Sequence, residues 1–269
     1  MSSIENINLY KKFTTYLEKK YGWFIIPSKI ENTAFILGKL IIKFGETKLI
    51  SLFESEINYD SFSDVDEELI DLYSVNETYF NREPETLEML PGLAKLALRY
   101  NGKINLMCAA ASSGEEVYSV AISMGEHYFN NEVNIQGVEV NQKMIKIAKE
   151  AVYNDWSLRT CSAGFKAEYF TQVEKRYKLK DEFKKNITFQ RSNLLSPNIY
   201  YFFHNTKFDI ILCRNLFLYL NPAAIEVVTT NLLRLLNPGG FLITGLAEGA
   251  LSKKLKAKNY KEYRNIFRF

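Results

Sequence analysis

Two hydrophobic patterns divide the chain. After about residue 100, short apolar runs alternate with segments whose apolar residues recur every three or four positions. Short apolar runs are typical of buried strands and the second spacing of amphipathic helices, so the pattern predicts a mostly parallel α/β sheet. The NPGG run at 237–240 predicts a turn that leads into the fifth strand. The predicted strands are about 104–108, 133–140, 187–190, 208–213 and 240–245, with a closing antiparallel strand at 263–269, and the predicted helices are about 84–100, 115–129, 142–152 and 223–236.

The first 75 or so residues carry only the helical spacing. Pro27 is suited to opening a helical segment, Gly45 to ending it and Ser63 to capping the N-terminus of a later helix. We therefore predict an all-helical N-terminal domain at 1–76 and a main domain at 77–269. The predicted N-terminal helices are about 4–21, 27–44, 46–57 and 64–72.

The segment 155–186 interrupts the alternation of strands and helices. It carries Gly164, many aromatic residues and a cluster of lysines and arginines that follows neither pattern. We predict that it forms a small inserted subdomain.

The composition is that of an ordinary soluble globular protein, with 47% hydrophobic and 24% charged residues. No apolar run is long enough to span a membrane. The start, MSSIENINLYKKF, lacks the features of a secretory signal, so we expect a cytoplasmic protein.

The cysteines and histidines do not form a recognisable catalytic or metal-binding pattern. Cys108, Cys161 and Cys213 are an odd number without a CxxC pair, and two of them lie in apolar runs. We expect reduced, buried thiols, and neither a disulfide nor a zinc site. His127 and His204 have no neighbouring partners, which argues against a histidine triad.

The net charge of +3 is too small to indicate nucleic-acid binding, but the charges are unevenly spread. Lys11, Lys12, Lys19 and Lys20 lie on the first predicted helix, and an acidic stretch follows at 54–71. The lysines could steer an acidic partner toward an active site or could simply form a solvated helix face. The sequence leaves both interpretations open.

The stretch INLMCAAASSGEEVY at 104–118 predicts a strand, a tight loop and a helix. The loop residues at 109–114 carry almost no side-chain bulk, so a ligand can approach the backbone beside a helix N-terminus. The alternative is a small-residue turn that packs against a neighbouring element. Neither the GxGxxG fingerprint nor the Walker lysine is present, which favours a nucleoside without phosphates.

Two charged residues follow predicted strands directly. Glu139 ends the second strand, where nucleoside-binding folds place an acid on the ribose hydroxyls, although a carboxylate there can also be merely solvated. Arg214 follows the strand ILC at the edge where open α/β sheets bind ligands. S-adenosylmethionine has a ribose, which suits Glu139, and no phosphate, which suits the absence of a phosphate-binding fingerprint.

Five motifs occur in order: NETYFNRE from residue 76, CAAASSGEEVYSVA from 108, SNLL from 192, FDIILCRNLFLYL from 208 and LNPGGFLITGLAEG from 236. With them, the chain resembles the chemotaxis receptor methyltransferase (CheR) family over about its last 190 residues. The resemblance implies a Rossmann-like class I S-adenosylmethionine-dependent methyltransferase fold, with a small helical N-terminal domain and a small inserted subdomain.

The resemblance also implies which residues bind the cofactor. Asn76, Thr78 and Arg82, from the segment that joins the two domains, would cover it. Glu116 would hold its amino-acid end, and Glu139 its ribose.

The remaining cofactor residues implied by the family lie later in the chain. Asn193 and Leu194 would line the adenine side. Arg214 and Asn215 would complete the site beneath the reacting sulfur.

Arg82 and Tyr219 form the predicted catalytic pair. Each also has a purely structural interpretation: Arg82 could pair with Glu83 or Glu85 on a helix face, and Tyr219 could be a core aromatic.

The chain departs from the family pattern in several places. Glu139 and Asn141 stand where the family usually has two aspartates, Tyr79 and Phe80 where it has two phenylalanines, and GLAE, which retains Glu248, where it has GHSE. The WSLR run at 156–159 resembles family members that serve other signalling systems. The peptide-binding β-subdomain of the family would correspond to the insertion, although its glycine-rich loop is not recognisable.

The implied reaction is methyl transfer from S-adenosyl-L-methionine to glutamate side chains of methyl-accepting chemoreceptors, giving methyl esters and S-adenosyl-L-homocysteine without a metal. The expected partner is a chemoreceptor or another signalling protein, with no nucleic acid and no membrane insertion, and the enzyme is expected to be a monomer. The alternatives are a related methyltransferase of a non-chemotaxis pathway or of small molecules, and a non-catalytic module that senses the cofactor.

Overall fold

The computed structural model describes residues 3–125, 130, 132–251 and 264–269. A six-stranded sheet with the order β6-β2-β1-β7-β8-β9 forms the centre of the chain, and only β9 is antiparallel to its neighbour. This confirms the predicted α/β sheet and its closing strand. Residue 263, where we placed the start of that strand, lies outside the described residues. The strands are β1 Ile104–Ala109, β2 Val133–Glu139, β3 Val152–Tyr153, β4 Phe170–Val173, β5 Arg176–Leu179, β6 Ile187–Arg191, β7 Phe208–Cys213, β8 Leu236–Thr244 and β9 Ile266–Arg268.

The order of the strands fixes where a ligand can bind. The chain runs outward from β1 through β2 to β6, then returns to place β7 on the other side of β1. Such a reversal leaves a crevice at the carboxyl ends of the two central strands. Every residue of β7 is buried, as a strand covered on both faces requires.

Each predicted helix is observed with its ends within three residues of the prediction, except at two places. The helix predicted at 115–129 is observed to Met124, and residues 126–129 lie outside the described part of the chain. The single helix predicted at 84–100 is wrong: it is two helices, because Pro91 has no N–H to continue the first one. The helices are α1 Ser3–Tyr21, α2 Ile30–Phe44, α3 Glu46–Glu54, α4 Asp64–Tyr73, α5 Pro84–Glu88, α6 Leu90–Asn101, α7 Glu115–Met124, α8 Gln142–Glu150, α9 Ala163–Tyr169, α10 Ile199–Phe202 and α11 Pro222–Leu235.

The turn predicted at the NPGG run is instead part of β8. The strand begins at Leu236, which pairs with Phe208, and the register shifts before Phe241 pairs with Ile210. A Cβ on Gly240 would lie 3.0 Å from the Asp209 carbonyl oxygen of the neighbouring strand, so the close approach needs a glycine. The pattern therefore marks a bulge inside the strand.

The N-terminal helices pack on one face of the sheet. Their apolar residues, including Phe13 and Leu17 of α1, form one continuous hydrophobic core with Met107 of β1 and Ile211 of β7. Gly45 separates α2 from α3 with φ = 78°, as predicted. The division into domains at residue 76 stays a prediction.

Two predicted features of single residues are confirmed in this part of the structure. Ser63 caps α4 in a capping box with Asp66. Cys108 and Cys213 are buried in β1 and β7, where burial raises the pKa of each thiol.

The prediction that four lysines share one surface of α1 is wrong for Lys20. The side chain is buried, and its Nζ lies 3.0 Å from Oδ2 of Asp66. The helical period puts position 20 on the same face as Tyr16 and Leu17, which pack into the core. The possible steering surface is therefore smaller than predicted.

The insertion folds as a three-stranded antiparallel sheet with the order β3-β5-β4, together with α9. It begins at Val152, slightly before the predicted start. Its aromatic residues pack around the buried Phe80, which belongs to the segment that joins the helical region to the main sheet.

A pair of aspartates on α4 allows a matched test of the buried network. Asp66 accepts hydrogen bonds from the Tyr16 and Tyr21 hydroxyls, the Ser63 N–H and Lys20, whereas Asp64 is exposed beside Lys48. We expect Asp66→Asn to lower the free energy of unfolding by about 2–4 kcal/mol in urea denaturation, because the charge is lost and N–H groups then face other donors. Asp64→Asn should leave the midpoint nearly unchanged.

The same test has a pH dependence with a definite sign. Burial alone would raise the pKa of Asp66, but the hydrogen bonds of Tyr21 and Tyr16 and the charge of Lys20 outweigh it and lower the pKa. The stabilisation is therefore present above the pKa of an ordinary aspartate and is lost as the pH falls toward the lowered one. The difference in the free energy of unfolding between the parent and Asp66→Asn should therefore decrease as the pH is lowered. A difference that stays constant in acid would contradict this assignment.

Candidate functional site

One cavity lies at the carboxyl ends of β1, β2 and β7, in the crevice that the sheet order creates. All ten site residues predicted from the sequence line it, although they come from five separate parts of the chain. They are Asn76, Thr78, Arg82, Glu116, Glu139, Asn193, Leu194, Arg214, Asn215 and Tyr219.

The loop between β1 and α7 forms the floor of the cavity. Ala110 and Ser112 adopt left-handed backbone conformations, with φ of 59° and 47°. Such conformations are costly for residues with a Cβ and are concentrated at functional sites. Gly114 serves packing instead, because a Cβ there would lie 2.9 Å from the Cβ of Ala148. The small residues therefore have both roles that the sequence left open: Ala110 and Ser112 line the cavity, and Gly114 allows close packing against Ala148.

The Glu139 carboxylate holds this loop and the end of β2. Its Oε2 accepts a hydrogen bond from the Ser112 N–H at 2.8 Å, and its Oε1 accepts from the N–H groups of Val140 and Asn141, both at 2.9 Å. Because a carboxylate offers about four acceptor positions, roughly one remains, on Oε2. Burial raises the pKa of Glu139, although the three backbone hydrogen bonds oppose the rise.

Asn141 stands at the second position where the family usually has an aspartate. Its side chain accepts from the N–H groups of Lys143 and Met144 and so caps α8. It also donates to Ser74 Oγ at 3.4 Å, and it does not line the cavity. Asn141 therefore holds the start of α8 and the segment around Ser74 in place next to Glu139.

Arg214 joins three segments at the opposite wall. Its guanidinium pairs with Glu116 of α7 at 2.9 Å and with Glu83 at 3.0 Å, and it donates to the carbonyl of Arg82. Burial raises the pKa of Glu116, and the nearby Arg214 charge opposes the rise. Sequence reasoning missed Glu83, whose role depends on a fold that brings residues 83 and 214 together.

Glu248, retained in the GLAE motif, supports the site from below. Its carboxylate accepts from the N–H groups of Gly245, Asn215 and Phe217, each at 2.8 Å. These hydrogen bonds hold Asn215 in the left-handed region, with φ = 60°. The retained acid therefore shapes the loop after β7.

The two predicted catalytic residues are free of the partners that would make them purely structural. Within the described part of the chain, Arg82 forms no ion pair with Glu83 or Glu85, and its guanidinium donates to the Glu77 carbonyl at 3.2 Å. Tyr219 is half-buried at the cavity wall, with Nζ of Lys29 5.6 Å from its ring centre.

The predicted adenine side differs in detail from expectation. Asn193 uses its amide to donate to the Lys20 carbonyl at 2.7 Å and to accept from the Leu195 N–H. It therefore ties this wall to α1. The wall also includes Tyr21 and Trp23, whose stacked rings lie 4.5 Å apart. Sequence reasoning missed both, because no motif marks the end of α1 as part of a site.

Two polar atoms in the cavity wall lack protein partners among the described residues. Ser192 and Arg214 line the cavity, and Ser192 Oγ and Arg214 Nε are buried beneath its surface. Carboxylates near one wall and apolar side chains such as Leu194 and Leu220 near another fit an amino acid joined to a nucleoside. Within the described residues, no three His, Cys, Asp or Glu side chains cluster closely enough to hold a metal.

The sheet order and the position of the cavity define a Rossmann-like fold of the class I S-adenosylmethionine-dependent methyltransferases, as predicted. Residues 76–266 match the family described as CheR methyltransferase, SAM binding domain. The chain belongs to this family. None of the described helices is both long and apolar enough to span a membrane.

Several named proteins are similar to this chain. A chemotaxis protein methyltransferase of Vibrio parahaemolyticus is 29% identical over 251 residues, covering 89% of this chain and 88% of that protein. A probable biofilm formation methyltransferase, WspC, of Pseudomonas aeruginosa is 31% identical over 68% of this chain but only 44% of its own length. Among solved structures, a TehB-like SAM-dependent methyltransferase from Corynebacterium glutamicum is 14% identical, with a TM-score of 0.37, over 66% of this chain and 84% of that one.

Glu139 and Glu115 allow a test of the cofactor site. We expect Glu139→Gln to weaken S-adenosylhomocysteine binding by about 1–3 kcal/mol, roughly 5- to 150-fold, because an amide replaces the acceptor that faces the cavity. Glu115 is also a buried glutamate, but it does not line the cavity. Glu115→Gln should therefore leave the affinity within about twofold.

Titration calorimetry on both variants measures the difference. Equal affinities for the parent and Glu139→Gln would remove Glu139 from the ligand-binding residues.

Proposed function

We propose that this chain transfers a methyl group from S-adenosylmethionine to glutamate carboxylates of a signalling protein and forms methyl esters. The observation that carries the proposal is the position of Arg82. Arg82 lines the cavity, forms no ion pair among the described residues, and shares the cavity lining with Tyr219. A cation that lines a cofactor cavity suits a carboxylate substrate.

The reaction needs no general base. A glutamate side chain, with a pKa of about 4.3, is already ionised at neutral pH. Bound S-adenosylmethionine supplies an electrophilic methyl carbon on a sulfonium. One carboxylate oxygen forms the new bond to that carbon while the carbon–sulfur bond breaks and its electron pair goes to sulfur. No proton moves, so the chain contributes by alignment and by excluding water.

We assign roles to the cavity residues on the same basis. Arg82 orients the substrate carboxylate, and Tyr219 places its ring and hydroxyl beside the reacting methyl group. Glu139 accepts one ribose hydroxyl through Oε2 rather than two, because its other acceptor positions are occupied. Glu116 holds the amino-acid end of the cofactor through the oxygen that does not bind Arg214.

Asn76, Thr78 and Asn215 complete the covering of the cofactor in this proposal. Asn193 and Leu194 form the adenine side, with Leu194 in contact and Asn193 positioning the wall.

Two classes of substrate protein have support. The Vibrio relative is named a chemotaxis protein methyltransferase, which favours a chemoreceptor. The Pseudomonas relative is named a probable biofilm formation methyltransferase, which favours a receptor of another signalling pathway. Both alternatives share the same chemistry, a glutamate carboxylate on a protein.

The proposed reaction product has a distinctive stability. Incubation of the protein with cell extract and cofactor labelled in the methyl group should label a protein, and mild alkali should release the label as methanol because esters are base-labile. Heat-denatured enzyme is the control. Label that resists alkali, or that appears only on small molecules, would contradict protein carboxyl methylation.

Conservative variants separate the roles of the catalytic pair. We expect Arg82→Lys to lower kcat/KM by roughly 10- to 100-fold, since lysine cannot form the bidentate pair, and Tyr219→Phe to lower it several-fold. Tyr201→Phe, on an exposed tyrosine, is the control. If both variants turn over at the parental rate while binding cofactor normally, this pair is not catalytic.

A further inference from the structure

The turn that carries the WSLR run lies directly beside the segment that covers the cavity. Ser157 and Leu158 face inward: Leu158 is buried with Phe80, and Ser157 Oγ donates to the buried Glu115 at 2.9 Å. Trp156 is exposed, and Arg159 keeps about a quarter of its side chain exposed. The run thus anchors the turn with its central residues and presents its two end residues.

The two segments are fastened together through the backbone. The Phe80 N–H donates to the Ser157 carbonyl at 2.9 Å, and Thr160 Oγ1 donates to the Phe80 carbonyl at 2.7 Å. Trp156 and Arg159 therefore sit on a rigid base.

Arg159 lies between two aromatic rings. Its guanidinium carbon is 3.8 Å from the ring centre of Tyr79 and 4.2 Å from that of Trp156. We call Tyr79, Trp156 and Arg159 the rim cluster. Its Nη1 donates to the Trp156 carbonyl at 2.7 Å. The stacking and this hydrogen bond hold the guanidinium plane, so that Nη2 presents its N–H groups in a fixed direction that suits a carboxylate.

A carboxylate of the chain itself already occupies that edge. Glu77 Oε1 lies 2.6 Å from Nη2 of Arg159, and half of the Glu77 side chain is exposed. An ion pair with so exposed a partner contributes little to stability, and exchange of one carboxylate for another costs little. Glu77 therefore shows what kind of group the rim cluster accepts and is itself displaceable.

The rim cluster is continuous with the proposed catalytic site. Tyr79 lines the cavity, and its ring also lies 5.6 Å from the guanidinium carbon of Arg82. Two arginines thus flank one tyrosine ring. Carboxylates one helical turn apart, about 5.4 Å along a helix, suit two cations placed in this way. Trp156, with 62% of its surface exposed, offers an apolar contact beside them.

We propose that Arg159 of the rim cluster binds a second carboxylate of an acidic helical substrate segment, next to the glutamate that enters the cavity, and that this carboxylate displaces Glu77. The inference rests on the proposed function and adds a requirement on the substrate sequence, a second carboxylate near the reacting glutamate. Arg159 is a specificity residue, whereas Arg82 orients the reacting group.

The test measures binding without turnover, using protein saturated with S-adenosylhomocysteine. The probes are two alanine-rich helical peptides of about 15 residues, one with two glutamates four positions apart and one with the second glutamate replaced by glutamine. Calorimetry gives the affinities.

The parent protein should bind the two-glutamate peptide about tenfold more tightly than the one-glutamate peptide. Arg159→Gln should remove that preference, and Glu77→Gln should increase affinity for the two-glutamate peptide several-fold because the competing carboxylate is gone. Arg176→Gln removes an exposed charge from the insertion and should leave the preference intact.

Tryptophan emission gives an independent measurement. The chain has two tryptophans, and Trp23 is buried whereas Trp156 is exposed. Peptide binding should shift the emission to shorter wavelength in the parent, and Trp156→Phe should abolish the shift.

The proposal is overturned if the parent binds both peptides equally or neither, if Arg159→Gln keeps the preference, or if Glu77→Gln weakens binding. These outcomes are distinct from failure of the proposed function, which would appear as an absence of alkali-labile methyl groups whatever the peptide affinities.

Discussion

The rest of the site depends on the ion pairs and the hydrogen bond that the buried guanidinium of Arg214 makes. Arg214 follows β7 and joins that strand to Glu116 on α7 and to Glu83 in the segment before α5. Removing it would leave two carboxylates close together with little solvent, a costly arrangement. The guanidinium also gives each neighbouring segment its place: it holds the Arg82 carbonyl, so the residue proposed to orient the substrate is positioned through Arg214.

Two buried acids at the site, Glu139 and Glu248, act mainly as acceptors for backbone N–H groups. Glu139 and Glu248 each accept three such hydrogen bonds, and between them they hold the loops after β1, β2, β7 and β8. The loops after β1 and β7 contain left-handed residues whose conformations need outside support. Much of the charge at the site therefore holds the backbone, and only the remaining acceptor positions are available to a ligand. A cofactor with few hydroxyl donors therefore suits this site, because most acceptor positions of its carboxylates are already occupied by backbone N–H groups.

The cavity is assembled from distant parts of the chain. Tyr21 and Trp23 from the end of α1 form one wall, and the Trp23 backbone bridges to Leu220 after β7. The inserted segment supplies Trp156 and Arg159 of the rim cluster on another side. The helical region and the insertion therefore contribute to the walls and rim of the cavity as well as to the hydrophobic packing.

The sequence by itself determined the features that depend on neighbours in the chain. Apolar spacing identified the strands of the main sheet, and Ser63 and Gly45 identified helix ends. The ordered motifs, together with Glu139 at the end of a predicted strand, identified ten of the residues that line the cavity. Local hydrogen bonding and periodicity leave such signals in a short stretch of residues.

Only the tertiary structure decided which partners distant residues choose. Lys20 is predicted to be a surface lysine, but Asp66, 46 positions later, provides a buried partner. The number of acceptor positions left on Glu139 depends on a loop 27 positions before it, and the partners of Arg214 lie about a hundred or more positions away. The physical reason is that burial and charge pairing are set by three-dimensional packing, and their energies depend on groups that no local pattern brings together.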